Sequence, residues 1–110
     1  MNVPTGSSQT LTDVDDSVLV VVDVQQRFLD KLAPDEVGPL VHRISWIVRI
    51  ATRLGVPIVV TAEDIAELGT TVAAVADGFP DGTKEHNKMT FGLAGDPAIL
   101  SAIEDHRRHT

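Results

Sequence analysis

At 110 residues the chain has room for one hydrophobic core and no second domain. Its 43% hydrophobic and 23% charged residues match a soluble globular domain rather than a disordered or low-complexity one. A formal net charge of -7 argues against a nucleic-acid partner, which needs clustered Lys and Arg, and zero cysteines exclude disulfides, thiolate metal sites and thiol catalysis by these residues alone.

No apolar run approaches the roughly 20 residues that span a bilayer, and no basic leader opens the chain, so no membrane partner and a cytoplasmic location are expected. Aromatic residues make up only 4%, so the core must be built from Val, Ile, Leu and Ala. Such a composition suits strands buried between helices and favours an α/β layer architecture.

In chain order, residues 1–16 hold Pro4, Gly6, Ser7, Ser8 and three aspartates, and read as a flexible arm before a domain at 17–110. Val18 to Val22 is an unbroken β-branched run, the pattern of a central parallel strand, with Asp23 at its carboxyl end. From Asp35 the apolar positions Val37, Leu40, Val41, Ile44, Ile47, Val48, Ala51 and Leu54 recur every three or four residues, which predicts a long amphipathic helix. Gly55 supplies its left-handed stop. A second strand is predicted over Val56 to Thr61, parallel to the first through a right-handed crossover.

The carboxyl edge of such a sheet is where ligands bind, which puts Asp23 and Glu63 in one crevice. A weak helical turn is predicted over Thr70 to Val75, then a reversal at Asp77-Gly78-Phe79-Pro80-Asp81-Gly82 anchored by Phe79. A short edge strand over Thr83 to Lys88 would return Lys88 to the crevice. Asp96 then caps a helix with Pro97 at its first position, and the basic cluster His106-Arg107-Arg108-His109 is expected to meet that helix's dipole. If these strands line up outward from the first, Val18 to Val22 keeps an open hydrophobic edge that something else should cover.

Asp23-Val24-Gln25 after the apolar strand, Leu54-Gly55-Val56-Pro57-Ile58-Val59-Val60-Thr61, and Lys88-Met89-Thr90-Phe91 resemble, in order, three blocks of the isochorismatase-like cysteine hydrolases. Leu68-Gly69-Thr70-Thr71-Val72 further resembles the subgroup around the isochorismatase domain-containing proteins. The resemblance covers about Ser17 onward. It implies a three-layer α/β/α Rossmann-like parallel sheet lacking its C-terminal strands, and hydrolysis of an amide or related non-peptide C–N or ether bond in a small-molecule substrate. In the implied catalytic triad Asp23 takes the thiol proton, Lys88 stabilises charge and a cysteine attacks.

The family's cysteine lies on the strand after the helix that here ends near His106, so the resemblance implies a truncated set, inactive alone. Gln25, Phe28 and Glu63 are the candidates beside the substrate, Gln25 and Phe28 as supports of the Asp23 loop rather than reactants. No metal or other cofactor is implied: Glu63 roughly aligns with the acid of an Asp-x-His metal motif, but Ile65 stands in place of the histidine. His86 reads as a solvated polar residue.

Other readings stay open. Asp23 taken alone could simply cap a turn through its own backbone, and Lys88 alone could be an exposed lysine. The chain could be a non-catalytic binding or assembly module whose open edge takes a homo-oligomeric neighbour or a complementing C-terminal chain. A phosphorelay receiver is a remote alternative, since its phospho-accepting Asp should follow a middle strand where this chain has an uninterrupted helix.

Overall fold

The computed structural model describes residues 12–89 and 96–110. The expectations for residues 1–11 of the arm and for Thr90 and Phe91 of the third block lie outside them. Along the chain run β1 (Leu19–Val22), α1 (Gln26–Leu29), α2 (Pro34–Leu54), β2 (Ile58–Glu63), α3 (Ile65–Leu68), α4 (Ala73–Ala76), β3 (Glu85–Lys88) and α5 (Pro97–Glu104). The strands form one parallel sheet in the order β1-β2-β3. Register runs from Leu19↔Ile58 to Val22↔Thr61 and from Val60↔Glu85 to Glu63↔Lys88, so all three carboxyl ends emerge on one edge.

The long helix forms as its periodicity predicts. Pro34 opens it, Asp35 and Glu36 in its first turn complement the positive end of the dipole, and Gly55 closes it at φ 71°. The Gly55 N–H donates to Thr52 C=O and the Val56 N–H to Ala51 C=O, a Schellman closure that only a residue at ease in the left-handed region allows without strain. This closure explains why β2 begins at Ile58 instead of Val56: Val56 spends its N–H on the helix end and Pro57 has none.

Val48 of α2 packs with Val21, Val24, Val60 and Val75 in the main core, and Phe79 joins its margin as the anchor expected of the 77–82 loop. Side chains alternate along a strand, so Val59 faces the opposite side of the sheet from Val60, and it too is buried. There α5 rests on β2 and β3 with Ile99 fully buried, which completes the three layers.

Two local expectations need correction. The helical turn after Thr70 starts later, at Ala73, because Thr71 is drawn into an isolated antiparallel bridge with Gln25. The basic cluster does not cap its own helix: α5 carries no basic residue in its last turn. Instead Arg108 donates to the carbonyls of Val14 and Asp15, and His109 Nδ1 lies 3.0 Å from an Asp16 carboxylate oxygen. Three aspartates beside a short 3-10 turn at Val14–Asp16 offer the cations a denser negative field than one helix end.

Candidate active site at the carboxyl edge

β1 delivers Asp23 to the edge, and Asp23 breaks the strand by taking φ 53°. Its N–H still donates to Thr61 C=O at 3.1 Å, while its own C=O accepts from the Gln25 N–H at 3.0 Å. Left-handed geometry is tolerated by Asp better than by β-branched residues, and here it turns the chain sharply at the last rung of the ladder.

Lys88 arrives from the end of β3, two strands away. In register terms Thr61, Glu63, His86 and Lys88 share one face of the sheet. Lys88 Nζ lies 2.9 Å from Asp23 Oδ2, and the Thr61 hydroxyl donates to Asp23 Oδ1 at 3.0 Å. Each carboxylate oxygen therefore has its own donor. The Lys88 side chain is 6% exposed and that of Asp23 16%, so the ammonium is nearly desolvated while the carboxylate keeps an opening to solvent.

A desolvated ion pair of this kind is chemically versatile. A carboxylate with one side open accepts a proton from an approaching acid, and the ammonium beside it favours the anion that the transfer leaves behind. Breaking either half exposes the other to an uncompensated burial cost.

Gln25 is fully buried. Its Nε2 donates to the carbonyls of Glu63 (2.9 Å) and Gly69 (2.6 Å), and its Oε1 accepts from the Glu63 N–H at 2.8 Å. The amide thus ties the loop after β1 to the end of β2 and the loop beyond α3, with its donor and acceptor groups taken up by backbone. Glu63 enters these bonds through its main chain; its side chain is half-buried next to Lys88 in the ladder. Phe28 lies on α1, half-buried, with Lys31 Nζ 5.3 Å from its ring centroid. His86 is a half-buried member of β3 rather than a fully solvated residue.

Three contributors escaped the sequence reading. Thr61 looks like the end of an apolar run, although one polar residue in a buried strand is itself a signal that something polar faces it. Asn87 Oδ1 accepts from the Ile65 N–H, starting α3 behind a left-handed Asp64, and Glu85 accepts from the buried Thr71 N–H. Neither has a local sequence signature, since both reach across more than ten residues.

No protein-family model and no curated protein matches the sequence. Solved structures do share its fold. MAR1 ribonuclease from Caenorhabditis elegans superposes with a TM-score of 0.70 at 23% identity, over 84% of this chain and 47% of that one. YcaC from Pseudomonas aeruginosa, solved with hexane-2,5-diol and covalent acrylamide, gives 0.71 at 18% identity, over 88% and 48%. YcaC from Escherichia coli, described as an octameric hydrolase of unknown specificity, gives 0.68 at 15% identity, over 88% and 48%. The chain shares the fold of these solved structures while spanning about half their length.

Proposed function

We propose that these residues form the acid and cation half of an isochorismatase-like hydrolase site. The observation that carries this reading is the desolvated pair of Asp23 and Lys88 at the carboxyl edge of the sheet. In this reading Asp23 Oδ2 accepts the proton of an attacking thiol, Lys88 favours the thiolate over the thiol, and Thr61 keeps the carboxylate aimed at the opening. The substrate is a small molecule with an amide or related bond. Gln25 and Phe28 support the Asp23 loop and Glu63 borders the substrate side.

The 110 residues contain no cysteine, so the thiol has to come from outside them, and by themselves they are catalytically silent. The test is to purify the native protein from its source cells with whatever accompanies it, and to alkylate it with iodoacetamide. Expected is one fast-reacting cysteine, on a longer form of this chain or on a companion, whose alkylation slows at least about tenfold in Asp23→Asn and Lys88→Met. A native assembly with no such cysteine, or amide turnover by the 110 residues alone that is lost in Asp23→Ala, would overturn the reading.

A second reading, a self-associating module, draws on one observation: among the described residues β1 is an edge strand, with its own Val22 and the neighbouring Trp46 and Ile47 of α2 exposed. Sedimentation that stays monomeric across concentration would remove it.

A further inference from the structure

The reversal between α4 and β3 contains the same dipeptide twice, Asp77-Gly78 and Asp81-Gly82. In an Asp-Gly step the side-chain carboxyl carbon and the glycine nitrogen are linked so that a bond between them closes a five-membered ring, and glycine has no Cβ to hinder the approach. Closure requires rotation about the aspartate ψ to carry the glycine nitrogen to the carboxyl carbon. It therefore competes with whatever holds that peptide plane, and the fold holds the two planes very differently.

Asp77 is clamped. It ends α4 at φ -62° and ψ -19°, its N–H donates to Ala73 C=O at 2.9 Å, and the Gly78 N–H donates to Val75 C=O at 3.1 Å. The Gly78 C=O accepts from the Thr52 hydroxyl at 3.1 Å. Gly78 also lies so close to α2 that a Cβ on it would stand 3.2 Å from side-chain carbons of Arg49 and Val48. Turning this peptide breaks its hydrogen bonds and drives it against packed side chains.

Asp81 is not clamped. Pro80 to Thr83 forms a turn with Gly82 at φ 81° in the third position, as a type II turn requires. Its closure rests on Thr83, whose N–H at 3.2 Å and hydroxyl at 2.7 Å both donate to Pro80 C=O. The peptide between Asp81 and Gly82 takes no part in it: among the described residues the Gly82 N–H has no backbone acceptor. Both residues are exposed, and a Cβ on Gly82 would meet nothing within 4 Å.

We propose that Asp81 is a site of spontaneous covalent modification, isomerising to isoaspartate through a succinimide, while the fold spares Asp77. The Gly82 nitrogen attacks the Asp81 carboxyl carbon; the N–Cγ bond forms, the Cγ–OH bond breaks, and the hydroxyl leaves with the amide proton as water. Solvent water then adds to the ring. Addition at Cγ breaks the new bond and restores aspartate, whereas addition at the main-chain carbonyl breaks the original bond to Gly82 and leaves isoaspartate. One water is lost and one gained, with no redox change. The product carries its chain through Cβ and Cγ and presents a free α-carboxylate at an exposed loop tip, the group that an S-adenosylmethionine-dependent isoaspartyl methyltransferase esterifies. The extra main-chain carbon falls inside the turn that Thr83 closes, directly ahead of the strand Glu85–Lys88. The inference is independent of the hydrolase reading, since it concerns a loop and not the site.

The test ages the folded 110-residue protein at neutral pH and physiological temperature in heavy-oxygen water. Tryptic peptide 54–84 carries both steps, so the two are compared within one molecule. Electron-transfer fragmentation, which cleaves the isoaspartyl Cα–Cβ bond, locates the product, and methylation by isoaspartyl methyltransferase counts it. Expected is heavy oxygen and isoaspartate at Asp81 at least about tenfold faster than at Asp77, with the ratio falling toward one in urea, where no fold protects either step. Asp81→Glu, an exposed change that would need a larger ring, should remove nearly all methylation. No heavy oxygen at Asp81, equal rates at the two steps in the folded protein, or undiminished methylation of the Asp81→Glu variant would each overturn the proposal.

Discussion

Separating Asp23 from Lys88 by mutation tests whether the pair is the desolvated unit the geometry describes. At 2.9 Å and an effective dielectric near 20, Coulomb's law gives an attraction of about 5–6 kcal/mol, of which desolvation of the two charges cancels a large part. Asp23→Asn keeps a side chain that tolerates φ 53° and can still accept from Thr61, but it leaves the 6% exposed ammonium without an anion. The expected loss is about 3 kcal/mol. Lys88→Met leaves a carboxylate that retains Thr61 and a path to water, so its expected loss is smaller, about 1–1.5 kcal/mol. The double variant removes both charges and should lie within about 1 kcal/mol of the parent, giving a coupling of about 3–5 kcal/mol. Urea unfolding followed by far-ultraviolet circular dichroism reads these values. For a domain of this size about 3 kcal/mol lowers the midpoint by roughly 2–3 M. Additive single effects below about 0.5 kcal/mol would refute the argument, because they would describe a hydrated surface pair.

The amide of Gln25 invites a complementary test: Gln25→Ala should cost about 3–4 kcal/mol by stranding the Glu63 N–H and the carbonyls of Glu63 and Gly69, and hydrogen exchange at Glu63 should speed up before the rest of β2 opens. Gly55→Ala should cost about 1 kcal/mol in thermal unfolding, because its φ of 71° lies in the left-handed region. Asp96→Ala removes the carboxylate that accepts from Ala98 and Ile99, and should destabilise by about 1 kcal/mol with the loss confined to α5 in exchange experiments. Thr61→Val keeps the shape of β2 but withdraws the donor from Asp23 Oδ1. In the native assembly it should slow alkylation of the reactive thiol about threefold to tenfold, an effect that Thr61→Ser should largely restore.

What could be read from the sequence was governed by range. The run from Val18 to Val22, the period of Val41, Ile44, Val48 and Ala51, and the Gly55 stop are local signals, and β1, α2 and its closure follow them. Asp23 and Lys88 were legible as residues because the ends of strands in a parallel sheet converge on one edge. Their contact at 2.9 Å was an inference of topology, not of spacing. Gln25 was legible as a support but not as a clamp, since its partners lie 38 and 44 residues away. Arg108 misled for the same reason: a cation near a helix end suggests the dipole, whereas the winning acceptors are 93 and 94 residues upstream. Side-chain periodicity reports burial, and it carries no information on which distant carbonyl a polar group will find.

The carboxylate of Asp23 is held by three devices of different physical kind, and that redundancy bears on why the pair exists. A left-handed backbone turns the residue at the ladder's last rung, the Thr61 hydroxyl fixes one oxygen, and the Gln25 amide locks the loop that follows to β2. A buried ion pair adds little to folding compared with apolar residues of equal volume, and a non-glycine residue at positive φ costs a further 1 kcal/mol or so. Stability alone would remove both features at little loss, as the near-neutral double variant would demonstrate. Their coexistence with a fully satisfied clamp fits the proposed site: the carboxylate is placed before any reactant arrives, and the cost is spread over the ends of three strands.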